Sequence, residues 1–377
     1  MSEAAPSTIL VLIATERVSG PLKGILQCLR YLDRTRYRPV LCLVRGQRAQ
    51  PSDAEVEAKR CGVPFAVLEQ SGAFDWRLMG RVRRLALDHR AVLVQTHGYK
   101  THVLGLFLKR SIGVRWVGFE HGWTAENWRV RLYHRLDWLL RYADRVIAVS
   151  DQLRRQVRGM GVPDSRLLRI HNAVERDEGW STCSPGLFRQ SQGIPPDAPL
   201  VTVLGRITRE KGQRVFLEAF RRVMTQLPQA HAAIVGEGVD EPNVRAIARA
   251  LDLGQAVRFV EWQRPVAPVY VDSDVIVVPS LAFEGIPNVM LEAMAAGCPV
   301  VATTVGGAEE VATNEAHALL VPPASPDAMA SAIARLLDDK ALRDRLVEGA
   351  RRRIETNHSP AQRAARIAEV YGSLLGR

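Results

Sequence analysis

Twice along this chain, short apolar runs alternate with segments of helical periodicity. In the first half the runs are "TILVLIA", "RPVLCLV", "AVLVQTH", "VRWVGFEHG" and "RVIAVS", with a helix such as "GPLKGILQCLRYLD" between each pair. In the second half they are "LVTVLG", "HAAIVGEG", "AVRFVEW", "DVIVVPS" and "PVVATT". Apolar runs this short read as buried strands, and strands alternating with helices predict parallel, doubly wound α/β sheets. Between the two cycles lies "ERDEGWSTCSPGLFRQSQGIPPDAP", rich in Gly, Pro, Ser and charge, which reads as a linker region.

A length of 377 residues suits two domains, and 47% hydrophobic with 24% charged residues is an ordinary globular composition. No apolar run approaches the ~18 residues of a membrane span. The N-terminal "MSEAAPSTILVLIA" lacks a basic n-region and a cleavage pattern, so its apolar run is read as the first strand and a cytoplasmic location is expected. The five cysteines are scattered, without CxxC spacing, and read as small reduced hydrophobes rather than zinc ligands. Charge is uneven. Residues 1–180 hold 30 Lys+Arg against 18 Asp+Glu, leaving 21 against 22 for the remainder of the chain's 51 and 40. A basic first half points to an anionic partner there: nucleic acid, an anionic lipid surface or a phosphorylated substrate.

Ligands of open α/β sheets bind over the carboxyl ends of the strands, at helix N-termini, so function is sought in the strand-end loops and in the cleft expected between two such domains. After "DVIVVPS" comes "FEGIPNVMLEAMAAGCPVVAT". Pro287 and Asn288 suit a helix start and Gly297 its stop. The helix N-terminus is a natural diphosphate site. Glu284 precedes it and Glu292 lies inside it. Carboxylates are poor phosphate neighbours but good acceptors for sugar hydroxyls, so one would hold a sugar and the other a ribose. The spacing alone also fits two solvated surface acids. In "VLGRITREKGQ", Arg206 and Lys211 follow a strand and would neutralise a diphosphate, although such cations are also common on surfaces.

"GRITREKG" followed by "FEGIPNVMLEAMAAGCPVVAT" resembles the retaining glycosyltransferases of the GT-B fold, specifically family 4, the group 1 glycosyltransferases. "TERVSGPLKG" and "RVIAVSDQLRRQV…RIHNAVE" are consistent with the family's first domain. The resemblance implies two doubly wound Rossmann-like domains facing across a cleft. Residues 1–175 would bind the acceptor and 198–355 the nucleotide sugar, and a helix in 356–377 would pack back on the first domain. It also implies residue roles. Gly20 would let the chain approach the donor phosphates, which Arg206 and Lys211 bind. Glu284 would contact the donor sugar and Glu292 the ribose. The backbone through Gly285, Ile286, Pro287, Asn288 and Val289 would complete the cradle, and the base would lie near "VGEG" and "FVEW", against Val260 and Trp262. His121 matches the family's active-site histidine, and His97-Gly98 would line the acceptor side. Glu261-Trp262 stands where many members have glycine, and Pro21-Leu22 where a second small residue is common.

The implied activity is that of a metal-independent, retaining hexosyltransferase. It would move a sugar from a nucleotide-diphosphate donor, with no other cofactor, to a saccharide or lipid-linked acceptor in polysaccharide, lipopolysaccharide or glycolipid synthesis. Negative charge growing on the departing phosphate of an oxocarbenium-like transition state would be met by Arg206, Lys211 and the helix N-terminus. A front-face route is expected, because no carboxylate nucleophile is evident. "VDSD" spells a metal-binding string but precedes its strand, at the end away from the cleft, and "GEG" is too short for a dinucleotide fingerprint. The basic, aromatic segments "DWRLMGRVRRLALDHR", with Arg77, Arg81 and Arg84 on one face, and "WRVRLYHRLDWLLRYADR" would suit an anionic membrane surface, or be solvated helices. The competing readings are a catalytically silent sugar-nucleotide-binding protein and a GT-B-fold epimerase or phosphorylase. The E-x7-E pattern with Arg206, Lys211 and His121 favours transfer. Nucleic acid is not expected as a partner, since no recognition module is present.

Overall fold

The computed structural model describes residues 5–72, 75–122, 134–176, 179–282 and 284–376, which fall into two compact units. The first takes the described residues up to 172 and then 360–376; the second takes those of 173–359.

The first unit is built on seven strands: β1 (Ser7–Ala14), β2 (Tyr37–Gly46), β3 (Phe65–Gln70), β4 (Ala91–His97), β5 (Arg115–Glu120), β6 (Arg145–Ala148) and β7 (Leu167–Arg169). All pair in parallel in the order β3-β2-β1-β4-β5-β6-β7. β1 is buried along almost its whole length, as expected of a strand covered on both faces. The helix Gly20–Tyr31 is opened by Ser19, which accepts from the Leu22 amide, and by a proline in its first turn. Its Leu22, Ile25, Leu26 and Leu29 recur at helical spacing and are buried. They share one core with Ile367, Ala368, Val370 and Tyr371 of the helix Pro360–Leu375. Each Leu, Ile or Val side chain among them contributes about 1.5–3 kcal/mol on burial. Gly24 leaves room for the Arg363 guanidinium, which donates to Gly24 O at 3.0 Å and which a Cβ there would displace.

The second unit repeats the plan with β8 (Leu200–Leu204), β9 (His231–Val235), β10 (Val257–Val260), β11 (Val275–Val278), β12 (Val300–Thr303) and β13 (Leu319–Val321). These too are parallel, in the order β10-β9-β8-β11-β12-β13. Counted within each unit, the order is that of the dinucleotide-binding α/β fold, whose direction reverses beside the first strand. The switch points are therefore β1/β4 and β8/β11.

The stretch read as a linker is, in its latter part, an ordered piece of the second unit; Asp177 and Glu178 lie outside the described residues. The helix Leu187–Gln192 is held by Asp272, whose carboxylate accepts from the amides of Gly186 (2.6 Å), Phe188 (2.7 Å) and Arg189 (3.0 Å). Arg189 in turn pairs with Asp274 at 2.8 Å. Composition alone concealed this, because the helix is short and its anchors lie some 85 residues on. It also gives the two acids of "VDSD" a structural employment.

All five cysteines are free thiols. Burial pushes Cys28 up to about 11 and Cys42 up to about 12, which leaves them unreactive. Among the described residues, no helix is long and apolar enough to cross a membrane.

Candidate active site

At the β8/β11 switch point, two loops are tied together. After β8 the chain runs through Gly205, Arg206 and a 3-10 turn, Arg209–Lys211. After β11 it runs through Ser280 to Glu284. Leu281 N donates to Glu210 O at 2.7 Å, and a Cβ on Gly212 (φ +75°) would overlap Pro279 O. Only glycine permits this approach. The contact places Lys211 Nζ 2.6 Å from Glu284 Oε2, the same oxygen that accepts from Ser280 Oγ at 2.8 Å. Ser280 is itself fixed, since its carbonyl accepts from Thr303 Oγ1 at 2.6 Å. On the other side, a Cβ on Gly306 would overlap the Glu284 backbone, and Gly307 N donates to Gly285 O at 2.7 Å. The helix Asn288–Ala296, capped by Pro287 and ended by Gly297, begins four residues after Glu284 and turns its positive end to this loop. Glu292, buried in that helix, accepts from the Tyr270 hydroxyl at 2.6 Å.

The glycines of "GEG" serve packing. A Cβ on Gly236 would overlap Gly205 O, and one on Gly238 would overlap Ile207 O. The Arg206 loop is thereby laid against the end of β9, with Ile207 N donating to Glu237 O at 2.9 Å. Arg206 is exposed, and its carbonyl accepts from Gln213 Nε2 at 2.8 Å. Val260 is buried at the end of β10 and Trp262 is exposed beyond it. Gly285, Ile286 and Pro287 are buried, with Asn288 and Val289 half-buried at the helix start.

At the β1/β4 switch point the first unit has a cavity of about 270 Å³, lined by Ser19, Pro21, His97, Gly98, His121 and Asp137 among others. Gly20 follows Ser19 in the first turn of its helix. His97, at the end of β4, pairs in register with Ile13 and Phe119. Its Nδ1 lies 2.7 Å from His121 Nε2 and its Nε2 lies 2.7 Å from Gln95 Nε2. The two rings are stacked, with centroids 5.0 Å apart. Gly98 has φ +84° and opens the helix Tyr99–Ile112, where Thr101 Oγ1 accepts from the His97 amide. His97 is held well below the usual histidine range by burial, then by His121 and Arg363. His121 is lowered to about 3 by burial, then by Arg363 and His102. His102 is lowered to about 4 by burial, against an opposing pull from Asp137. These imidazoles are therefore neutral in the folded protein.

His102, Glu120 and Asp137 are buried with their ligating atoms within 4.8 Å of one another, a donor set that could take a divalent cation. The same residues also belong to a local network: His102 Nδ1 lies 2.8 Å from Thr96 Oγ1, and Glu120 Oε1 accepts from Gly122 N at 3.0 Å.

Of the residues singled out in the sequence, the fold brings Lys211 onto Glu284 and His97 onto His121. Ser280, Tyr270, Gln95 and Tyr371 were not anticipated. Gln95 carried a signal, since it lies two residues before His97 and so on the same face of an otherwise apolar strand. Tyr270 and Tyr371 carried none, being 22 and 276 residues from their partners. Of the basic helix Trp76–Asp88, Trp76, Arg77 and Arg84 are exposed, whereas Arg81 pairs at 2.6 Å with the capping Asp75 and Val82 is core. In the second basic segment, residues 128–133 lie outside the described residues, as does Phe283 of the quoted glutamate motif; Trp138 is exposed with the Arg141 guanidinium 3.5 Å above its ring.

Comparison with known proteins bears on this pair of sites. Residues 186–353 match the model "Glycosyl transferases group 1" and residues 19–173 match the "Glycosyl transferase 4-like domain". An uncharacterized glycosyltransferase of Methanocaldococcus jannaschii is 28% identical over 74% of this chain and 74% of its own. The UDP-Gal:alpha-D-GlcNAc-diphosphoundecaprenol alpha-1,3-galactosyltransferase of Escherichia coli is 25% identical over 79% of each. The lipopolysaccharide core biosynthesis glycosyltransferase LpsE of Rhizobium meliloti is 34% identical, over 50% of this chain and 52% of its own. The crystal structure of Anabaena HepE in complex with UDP-glucose superposes with a TM-score of 0.83 at 20% identity, covering 97% of this chain and 99% of HepE. With one of the family's two domain models on each unit, and the GT-B fold throughout, the chain belongs to the group 1, GT4-type glycosyltransferases and is a hexosyltransferase.

Proposed function

We propose that the enzyme moves a hexose from a nucleoside diphosphate to a saccharide or lipid-linked acceptor, with retention and without a metal ion. The observation that carries this reading is the Lys211–Glu284 pair, set before the N-terminus of the helix Asn288–Ala296. Lys211 has three N–H donors, so it can keep Glu284 and still take a phosphate oxygen. Arg206 and the helix N-terminus add positive potential where the leaving diphosphate gains charge. Glu284, its position fixed by Lys211 and Ser280, accepts from a hydroxyl of the donor sugar. Glu292, oriented by Tyr270, takes the ribose. Val260 and Trp262 border the base, Gly20 gives the phosphates room, and His97-Gly98 belongs to the acceptor side. The departing phosphate oxygen would accept the acceptor's proton on the front face, since no carboxylate nucleophile is assigned.

The names of relatives favour a UDP-hexose and an acceptor of the lipopolysaccharide or polyprenol-diphosphate kind. Exposed Trp76, Arg77 and Arg84 favour a peripheral position on an anionic membrane, at its cytoplasmic face. The test is a thermal-shift panel of nucleotide sugars followed by transfer assays. A donor at a hundred times its Kd stabilises the fold by about 2.7 kcal/mol. Stabilisation by a UDP-hexose and transfer in excess EDTA with a retained anomer are expected. No response to any nucleotide sugar would overturn the donor, and loss in EDTA restored by a divalent ion would overturn the metal-free reading.

A further inference from the structure

The buried His97 and the partly buried His121 are linked to the helix Pro360–Leu375 through a continuous hydrogen-bonded chain. The Tyr371 hydroxyl donates to Gln95 Oε1. Gln95 Nε2 is 2.7 Å from His97 Nε2, and His97 Nδ1 is 2.7 Å from His121 Nε2. We propose that Tyr371, Gln95 and His97 are positioning residues that hold His121 in its Nδ1–H tautomer, so that His121 meets a ligand as a hydrogen-bond donor through Nδ1 and is withheld from acting as a base.

Each link follows from the one before. Among the described residues, the hydrogen bond of the Tyr371 hydroxyl is the one to Gln95, and the ring is fully buried. A phenol that only accepted would leave its proton buried and unsatisfied, a costly arrangement. The phenol therefore donates, which makes the facing amide atom of Gln95 the carbonyl oxygen and turns the NH2 group to His97. An NH2 group only donates, so His97 Nε2 accepts and carries no proton. A neutral imidazole has one proton, so it lies on His97 Nδ1, which donates to His121 Nε2. The remaining proton of His121 must then be on Nδ1. Two further facts support the sequence. Burial and the nearby Arg363 keep both rings neutral, so neither can satisfy two acceptors at once. His121 Nδ1 has no hydrogen-bond partner among the described residues, and His121 lines the 270 Å³ cavity. A buried donor without a partner is one that a ligand oxygen can satisfy. Histidine free in water favours the opposite tautomer, with the proton on Nε2, so the chain imposes the less common form. In histidine sites generally, the hydrogen bond at one ring nitrogen decides which form the other presents.

The consequence for transfer rests on the proposed function together with the match of His121 to the family's active-site histidine, but the tautomer itself can be measured without substrate. Ring-nitrogen NMR on the full chain, with isotope-labelled histidine, reports protonation at each nitrogen. The expected result for the unmodified protein near neutral pH is protonated Nδ1 and bare Nε2 at both His97 and His121. A protonated Nε2 at His121 overturns the proposal. In Gln95→Glu the amide donor is replaced by a carboxylate that can only accept. Read at alkaline pH, where His97 is neutral, the chain should reverse, leaving His121 with its proton on Nε2. An unchanged His121 overturns the relay. Tyr371→Phe frees the amide to turn and should give a mixture of the two forms at both rings; a single unchanged form removes Tyr371. If a variant does not fold, the spectrum of the unmodified protein decides. In kinetics, Gln95→Glu should lower kcat on the order of a hundredfold, the scale of one lost transition-state donor, with donor KM little changed. Reversal with undiminished kcat overturns the donor role. If no nucleotide sugar is a substrate at all, the proposed function fails while the spectrum still judges the relay.

Discussion

The two units share one strand order and place polar residues at the same topological point, yet they furnish it with opposite chemistry. The β8/β11 site is ionic: a lysine on a carboxylate ahead of a helix N-terminus, with an exposed arginine in the same loop as the lysine. The β1/β4 site sets imidazoles held in their neutral form beside two buried acids, Glu120 and Asp137. The topology only supplies a crevice and converging loops. What fills it decides whether the crevice attracts charge or offers directional hydrogen bonds. On the proposed function, a nucleoside diphosphate calls for the first, and an uncharged sugar for the second.

The comparison breaks most readily at Lys211. In Lys211→Ala, turnover should fall at least about a hundredfold, or about 2.7–4 kcal/mol in the barrier, with the loss mainly in kcat because the leaving charge is greatest in the transition state. Full activity would remove the ionic site from the reaction. Next in size is Tyr270→Phe, which strips a donor from the buried Glu292. A hydrogen bond to a charged group contributes about 1.5–3 kcal/mol, so weaker nucleotide binding and a lower melting temperature are expected together. A loss of stability with nucleotide affinity intact would leave Glu292 a purely structural acid.

The neutral site is sharpened by pH. His97 and His102 have folded values below their ordinary one of 6.5, so the unfolded chain binds more protons on acidification. The stability that these two contribute is fully present above about pH 6.5 and is lost as pH falls toward about 4, where His102 takes its proton in the fold. Each adds a slope of up to about 1.4 kcal/mol per pH unit in that window. Urea titrations across this range test it. The slope should diminish in His102→Gln, and an unaltered slope would show that other groups govern acid unfolding. The smallest effect is expected at the surface. Replacing Arg77 and Arg84 by Glu should reduce sedimentation with anionic vesicles, at about 1 kcal/mol per residue and only at low salt, while donor binding is unchanged. Normal vesicle binding would leave these arginines a solvated face.

The ten apolar runs read from the sequence are strands, but β3, β7 and β13 were missed, and the Lys211–Glu284 cluster was more legible than the histidine chain, for physical reasons. Runs such as "DVIVVPS" are apolar because both faces are covered, and the glutamate pattern is local, since strand end, loop and helix start lie within about twenty residues. Lys211 was legible because it follows its own strand, but its bond to Glu284 depends on glycine contacts at Pro279 and Gly306 that no spacing reveals. Gln95, His97 and His121 come from adjacent strands, so their alignment is a matter of register, and Tyr371 reaches them from the far end of the chain. The helix Leu187–Gln192 was hidden because a six-residue segment has no periodicity to read and is held by an acid that sequence alone presents as part of a metal string.

The helix Pro360–Leu375 also sets an order of events during synthesis. Its Ile367, Val370 and Tyr371 complete the core around β1 and β2, whose residues leave the ribosome more than three hundred positions earlier. All the residues of the second unit are made in between, and that unit is nearly continuous in the chain. It can therefore close while the nascent first unit still has an open apolar face, where the side chains of Leu22, Leu26 and Leu29 await their cover. Until those last turns arrive, the earliest-made half of the protein is the one most exposed to aggregation and most in need of a chaperone's shelter.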